Sequence, residues 1–193
     1  TKKQIERYSR QIILKKIGVI GQKKLLKSSV LIVGAGGLGS PIAIYLAALG
    51  IGKIGIIDKD NIEISNLSRQ IIFSTNDLKK NKSSIAINKL RKINPGIQFK
   101  SFNKKLTKKN INQIAKNYDL IVDGSDNFRT RFLINDYCLQ NKKILISGAI
   151  SKFDGQVYTF NFSKKKSPCL RCFIPNMPVN PDIDNCEYEG VLG

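Results

Sequence analysis

The sequence predicts an α/β fold in which a mostly parallel sheet is flanked by helices. Short β-branched apolar runs alternate with helical patterns between residues 29 and 147, and this alternation is typical of βαβ units. The run 30–33 leads directly into a glycine-rich segment, 34–39, and then into a helical pattern. An acidic residue, Asp58, ends the next apolar run. Together these features indicate a Rossmann-like fold.

Hydrophobic patterning places the elements in chain order. Strands are predicted near 29–34, 53–58, 97–102, 119–123 and 143–147, and helices near 4–16, 21–27, 37–50, 81–93, 107–117 and 127–140. After residue 150 the pattern changes, because 155–162 alternates like an antiparallel strand and 163–185 is a proline-rich loop. We therefore expect one domain over 1–193 with an antiparallel extension. The last residues resemble the start of an element, so we expect a chain truncated at its C-terminus.

Composition excludes several classes of protein. The chain has 193 residues, of which 41% are hydrophobic and 24% are charged, as in ordinary globular domains. It contains neither an apolar run of the roughly 18 residues that a membrane span requires nor the core of a signal peptide. We expect a cytoplasmic protein that has no membrane partner. The absence of histidine excludes an imidazole base and histidine-ligated metals.

The formal net charge of +19 has two interpretations. A strongly basic chain can bind nucleic acid. However, the lysines are scattered over predicted helix faces instead of being gathered with aromatic residues, and isoleucine and asparagine are abundant as well. We interpret this as a compositional bias and expect no nucleic-acid partner. An acidic protein partner would still be attracted by the field.

The glycine-rich segment predicts a phosphate site. Glycines at 34, 36, 37 and 39 permit a tight turn and let backbone N–H groups approach a phosphate at a helix N-terminus. Asp58, at the end of the second predicted strand, can hold a ribose hydroxyl. The candidate cofactor-binding glycines are Gly34, Gly36, Gly37 and Gly39.

Four further groups can reach a nucleotide bound at this loop. They are the segment 65–70, with Ser65, Asn66, Arg69 and Gln70; Lys82; Asp126 and Asn127, which follow a predicted strand; and the N-terminal Arg10. Each also has a plainer interpretation: Lys82 and Arg10 as solvated helix charges, Arg69 as a surface ion pair, and Asp126 as a helix N-cap. Their joint order therefore carries the argument.

That joint order resembles the MoeB/ThiF family, the bacterial relatives of ubiquitin-activating enzymes. The match extends from about residue 6 to residue 193. It is carried by Arg7-Tyr8-Ser9-Arg10-Gln11, Gly34-Ala35-Gly36-Gly37-Leu38-Gly39, Asp58, Ser65-Asn66-Leu67-Ser68-Arg69-Gln70, Lys82, Ile93-Asn94-Pro95, Asp123-Gly124-Ser125-Asp126-Asn127 and Cys169-Leu170-Arg171-Cys172.

The resemblance implies ATP-dependent adenylation of the C-terminal glycine of a small ubiquitin-like sulfur carrier that ends in Gly-Gly. It implies that Arg69, Lys82 and Mg²⁺ neutralise the phosphates, with Asp126 as a ligand of metal or nucleotide. It also implies a homodimer in which Arg10 acts on the ATP of the other subunit. The shared motifs leave the pathway open between molybdopterin and thiamine biosynthesis.

The four cysteines suggest metal or thiol chemistry more than disulfides in a cytosolic chain. Cys169 and Cys172 have the spacing of half a tetrahedral zinc site, or alternatively of a redox pair. Cys186 resembles the family cysteine that joins the carrier covalently in some members, or it is an unreactive thiol. Cys138 lies in a predicted helix and is expected in the core.

Two other functions compete with adenylation. An NAD-dependent oxidoreductase would use the same glycine fingerprint, but Arg10, Arg69 and Lys82 supply more positive charge than a dinucleotide needs. A noncatalytic scaffold could bind a ubiquitin-like protein with a degenerate site. The intact set of charged residues favours the enzyme.

Overall fold

A six-stranded sheet forms the centre of the computed structural model, which describes residues 1–164 and 167–176. Its strands are β1 (Ser29–Val33), β2 (Lys53–Ile57), β3 (Gln98–Phe102), β4 (Leu120–Asp123), β5 (Ile144–Ser151) and β6 (Asp154–Asn161). They lie in the order β3-β2-β1-β4-β5-β6. The first five strands pair in parallel and β6 is antiparallel to β5. The predicted fold class and the antiparallel extension are thus confirmed.

Eight α-helices occur in the described residues: α1 (Lys2–Arg7), α2 (Ser9–Ile12), α3 (Gly18–Lys27), α4 (Gly39–Leu49), α5 (Lys82–Ile93), α6 (Ile111–Ala115), α7 (Phe128–Gln140) and α8 (Leu170–Phe173). Three predictions were wrong in extent. The N-terminal helix is two short helices, the helix predicted at 107–117 is only α6, and the proline-rich loop contains α8. None of the helices in the described part is long and apolar enough to cross a membrane.

The N-terminal helix is interrupted at Tyr8 because that side chain enters the core. Tyr8 is only 2% exposed, and its ring lies against Gly50, the residue that follows α4. The Nδ2 group of Asn94 donates to the Tyr8 hydroxyl at 2.8 Å and to the carbonyl of Ala47 at 2.8 Å. Burial of the tyrosine therefore outweighs the continuous helical pattern in this segment.

The sheet is covered on both faces. Alternate residues of β1 point to opposite sides, so that Leu31 belongs to the hydrophobic cluster under α6 and α7 and Ile32 to the cluster under α4 and α5. Both side chains are fully buried. This accounts for the uninterrupted apolar runs in the parallel strands. Cys138, on α7, is 0% exposed, as predicted from its place in a helix.

The strand order reverses between β1 and β4, and this reversal positions the site. Val33 is opposite Asp123 in the parallel ladder. The glycine-rich segment 34–39, here called the glycine loop, and the loop after β4 therefore emerge side by side. In open parallel sheets, ligands bind in the crevice at the carboxyl ends of the strands where the order reverses.

We predict that Asn94→Ala lowers the free energy of unfolding by about 1–3 kcal/mol, because the buried Ala47 carbonyl loses its side-chain donor. Denaturant titration would measure the change. The matched control is Asn88→Ala on the exposed face of α5, the helix that ends just before Asn94. For this control the change should stay within about 0.5 kcal/mol. Equal losses in the two variants would contradict the assigned role of Asn94.

Candidate nucleotide-binding site

The glycine loop is a close packing of backbone on backbone. Gly34 has φ +88, and a Cβ added to it would lie 2.8 Å from the carbonyl oxygen of Gly124. A Cβ on Gly39 would lie 1.9 Å from the carbonyl oxygen of Gly34. Side chains at these two positions are therefore excluded. The loop then passes into the N-terminus of α4, where backbone N–H groups are available to an anion.

Asp58 fastens this loop to the end of β2. Its Oδ2 accepts a hydrogen bond from the Ala35 N–H at 2.7 Å, and its Oδ1 accepts one from the Asp60 N–H at 2.8 Å. Burial raises the pKa of the Asp58 carboxyl, although these two N–H groups and the charge of Lys82 oppose the shift. Each oxygen keeps a further lone pair, so the carboxylate can still accept a ribose hydroxyl.

Lys82 is held beside Asp58 by the start of α5. Asn81 is the N-cap of this helix, accepting the Ser84 N–H at 3.1 Å. The Asn81 Nδ2 group donates to the Asp60 carbonyl at 3.1 Å, which ties the helix to the chain after β2. Lys82 is only 8% exposed, and among the described residues its ammonium group has no hydrogen bond or ion pair. A buried cation of this kind is suited to an anionic ligand.

Arg69 and Gln70, in the segment between β2 and α5, lie against the glycine loop. The Arg69 side chain lies 3.5 Å from the position that a Cβ on Gly37 would take, and its Nη1 donates to the Ser65 carbonyl at 2.9 Å. Gln70 is 3% exposed, and within the described part of the chain its buried Oε1 has no hydrogen-bond partner. A buried acceptor with no partner indicates a place for a donor group of a ligand.

Asp126 does not cap α7, although its position in the sequence allowed that role. The N-cap of α7 is Asn127, whose Oδ1 accepts the Thr130 N–H at 2.9 Å. Asp126 is exposed and accepts from the Asn127 amide at 3.1 Å. Its carboxylate therefore has lone pairs left for a metal ion or a nucleotide hydroxyl.

These groups line one cavity of about 640 Å³, a size typical of ligand sites. It follows the carboxyl edge of the sheet from the segment after β3 to the hairpin between β5 and β6. Ten of the predicted binding residues lie on its wall: Gly34, Gly36, Gly37, Asp58, Asn66, Arg69, Gln70, Lys82, Asp126 and Asn127. The glycine cradle and the cation of Lys82 fit the phosphates of a nucleotide, and the unpartnered Oε1 of Gln70 fits a hydroxyl or amino donor of the same ligand.

Five predicted residues in the described part of the chain lie away from this wall. Gly39 is used in internal packing, and the Ser65 carbonyl instead accepts from Arg69. Cys169 and Cys172 lie at α8. Arg10 follows Tyr8, which sits at the far end of α4 from the glycine loop. Because α4 has 11 residues, that end is about 16 Å from the loop. Cys186 lies outside the described residues.

The structure also places residues in the cavity that sequence reasoning missed. They are Lys104, Lys105 and Leu106 after β3, Ser125 and Arg131 near β4, and Ala149, Ile150, Ser151, Asp154 and Gln156 on the hairpin. Arg131 could have been noticed, because it lies four residues after Asn127 and therefore on the same face of the first turn of α7. The hairpin residues carry no comparable signal in the sequence.

The two cysteines of α8 have a separation that suits one metal ion. Their Sγ atoms are 3.7 Å apart, and two thiolates on a tetrahedral zinc ion at 2.3 Å would be about 3.8 Å apart. The helix is docked on α7 by Arg171, which makes hydrogen bonds of 2.8 and 2.7 Å to Asp136. No group of three or more potential metal ligands occurs within 1–164 and 167–176.

The model of the ThiF family matches residues 8–193. The chain belongs to this family. A probable molybdopterin-synthase adenylyltransferase of Porphyra purpurea is 50% identical over 97% of this chain and 49% of its own length. A sulfur carrier protein adenylyltransferase of Thermus thermophilus is 41% identical over 100% of this chain and 72% of its own length. The chain thus spans about half the length of the algal relative.

A solved structure shares the fold. The structure of E. coli MccB with ATP superimposes with a TM-score of 0.69 at 31% identity, and the match covers 78% of this chain and 45% of that one. The Rossmann-like fold read from the residues is therefore also that of a protein whose structure was determined with ATP.

We predict that this cavity binds ATP with Mg²⁺ more tightly than it binds NAD or AMP. Lys82 and Arg69 are cations placed beside the glycine loop, and a triphosphate carries more charge to them than a dinucleotide or a monophosphate does. Titration calorimetry with the three nucleotides would rank the affinities. Tighter binding of NAD than of ATP would contradict the assignment of the site.

Proposed function

We propose that residues 1–193 form one ATP-binding adenylation domain that activates the C-terminal glycine of a small ubiquitin-like sulfur carrier. The observation that carries the proposal is the juxtaposition of Lys82, Arg69 and Asp126 around a glycine cradle at the reversal of strand order. The names of the algal and Thermus relatives, both adenylyltransferases, support the same chemistry. The name of the first relative favours molybdopterin over thiamine biosynthesis as the pathway, and the name of the second specifies no pathway.

The reaction suits a chain that lacks histidine. The carboxylate of the carrier attacks the α-phosphorus of ATP, a P–O bond forms, and the bond to pyrophosphate breaks. The nucleophile is already an anion, so no general base is needed. The protein then has to position the two reactants and neutralise charge that develops on the phosphate oxygens. We assign that neutralisation to Arg69 and Lys82, with Asp126 as the residue that would hold Mg²⁺.

The cavity divides into two parts that match the two reactants. We define its nucleotide half by the glycine loop, Asp58 and Lys82, which lie on the β1–β2 side. We define its acyl half by the hairpin residues 149–156 on the β5–β6 side. The loop after β4, with Asp126, lies between the halves because β4 lies between β1 and β5 in the sheet. We propose that the C-terminal Gly-Gly of the carrier enters the acyl half.

We propose a homodimer through the surface formed by α3 and α4. Val19, Ile20 and Tyr45 are 54%, 73% and 69% exposed on these helices, and Gln22 of α3 donates to the Leu49 carbonyl of α4 at 3.0 Å, which joins the two helices. A contiguous patch of exposed apolar side chains marks an interaction site, and we propose that these three side chains form such a patch. The adjoining N-terminal segment carries Arg10, so dimerisation here would bring that arginine to the partner.

We further propose that Cys169 and Cys172 form half of a structural zinc site, supported by their sulfur separation. Two thiolates leave a tetrahedral ion without its other ligands, so we assign them no part in the adenylation step. The two thiols are not joined in a disulfide in the structure. We expect the protein to work in the cytoplasm, where thiols stay reduced.

We predict that Arg69→Ala and Lys82→Ala each slow ATP–pyrophosphate exchange, measured with a carrier ending in Gly-Gly. Removing one preorganised electrostatic group commonly costs about 3–4 kcal/mol in the transition state. The control is Arg91→Ala, whose guanidinium is on the exposed side of α5 and contacts Asn88. Near-normal exchange in both site variants would place the chemistry elsewhere. Absence of exchange in the unmodified protein would instead favour a noncatalytic scaffold.

We predict that Arg10→Ala and Asp126→Ala are each inactive and that mixing them restores part of the activity. A mixed dimer contains one site with both residues intact if the arginine acts on the partner. Arginine suits this task because its planar fork carries a permanent charge. The measurement is exchange activity after equal amounts of the variants are mixed. If subunits exchange and no activity returns, Arg10 does not act across the interface.

A further inference from the structure

The guanidinium of Arg131 connects the loop after β4, which lies between the two halves of the cavity, to the acyl half. Arg131 is only 9% exposed although it lies on the cavity wall. Its Nη2 donates to the Ser125 carbonyl, one residue before Asp126. Its Nη1 donates to the Gly148 carbonyl at 2.6 Å, one residue before the hairpin segment that lines the acyl half. One planar group thus holds a carbonyl on each side.

A buried carboxylate fixes the orientation of that guanidinium. Asp123 is 1% exposed, and its Oδ2 lies 3.5 Å from the Arg131 Nη1 and accepts the Ser147 hydroxyl at 2.8 Å. Its Oδ1 accepts the Ser125 N–H at 3.0 Å and the Ser125 hydroxyl at 2.6 Å. The same carboxylate is therefore hydrogen-bonded both to the loop after β4 and to strand β5.

The geometry of this network requires an arginine. One carbonyl belongs to the loop after β4 and the other to β5, and a guanidinium presents N–H groups in a rigid fork that can reach both at once. A lysine ammonium is a single point charge on a flexible stem, so it can satisfy Asp123 and one carbonyl but does not fix the distance between the two. A buried ion pair contributes little net stability. The role that we assign to the pair of Arg131 and Asp123 is to align the loop after β4 with β5.

We propose that Arg131 is a positioning residue that keeps the Ser125–Asp126 loop in register with the Gly148 end of the hairpin, and so keeps the acyl half aligned with the nucleotide half. The inference rests on the proposed adenylation for its catalytic consequence. Arg131 does not need to touch either reactant. A small displacement between the halves should separate the carboxylate from the α-phosphorus, while each half retains its own binding contacts.

The test compares Arg131→Lys with Arg171→Lys. The control arginine is also paired with an aspartate and also ties an element to α7, but it is not on the cavity wall. We expect Arg131→Lys to keep its melting temperature, its ATP affinity and its KM for the carrier close to those of the unmodified protein. Its kcat for exchange should fall roughly 10–100-fold, the loss expected when reacting groups are displaced by about 1 Å. Arg171→Lys should keep the full kcat.

A second variant and a second readout complete the experiment. In Arg131→Ala, millimolar guanidinium should raise kcat, whereas the same concentration of urea should not. Amide hydrogen exchange should speed up together in segments 124–127 and 148–151 of Arg131→Lys, and in neither segment of Arg171→Lys. Unchanged kcat in Arg131→Lys would overturn the proposal. So would unchanged hydrogen exchange, which tests the alignment even if the unmodified protein shows no adenylation and the proposed function itself fails.

Discussion

The site depends on the contact of backbone with backbone at Gly34, Gly39 and Gly124. No side chain separates the glycine loop from the loop after β4, because a Cβ on Gly34 would lie 2.8 Å from the carbonyl oxygen of Gly124. Within the glycine loop, a Cβ on Gly39 would lie 1.9 Å from the carbonyl oxygen of Gly34. This contact brings the ends of β1 and β4 together at the point where the strand order reverses. It leaves the N-terminus of α4 open to an anion and sets the distance from the loop to Asp126.

The polar network around the cavity is built to hold these loops and to leave a few groups free. Asp58, Asn81, Asp123 and Arg131 each make a hydrogen bond to at least one backbone group. Lys82 and the Oε1 of Gln70 are buried without a hydrogen-bond partner in the described residues, and Asp126 is exposed at the cavity. We propose that the restrained groups preorganise the site and that the free groups contact the nucleotide. An arrangement of this kind can stabilise charge on a phosphate transition state without a titrating base.

The sequence predicted the fold class and ten residues of the cavity wall because the periodicity of the apolar runs and the glycine spacing are local signals. It could not predict that Arg131 donates to the Gly148 carbonyl, because this contact depends on how α7 packs on β5. It also misjudged the N-terminal helix, since the contact of Tyr8 with Asn94 joins segments 86 residues apart. The interpretation of Asp126 as the N-cap of α7 was wrong by one residue, because Asn127 caps this helix.

The most direct test follows one oxygen atom. A carrier labelled with ¹⁸O in both oxygens of its C-terminal carboxylate is incubated with the protein, ATP and Mg²⁺, and the product is trapped with a thiol that takes the acyl group. If the carboxylate attacks the α-phosphorus, the released AMP carries one ¹⁸O and the acyl product keeps the other. If mass spectrometry finds unlabelled AMP, or finds the label in inorganic phosphate derived from the γ-phosphate of ATP, attack of the carrier on the α-phosphorus is contradicted.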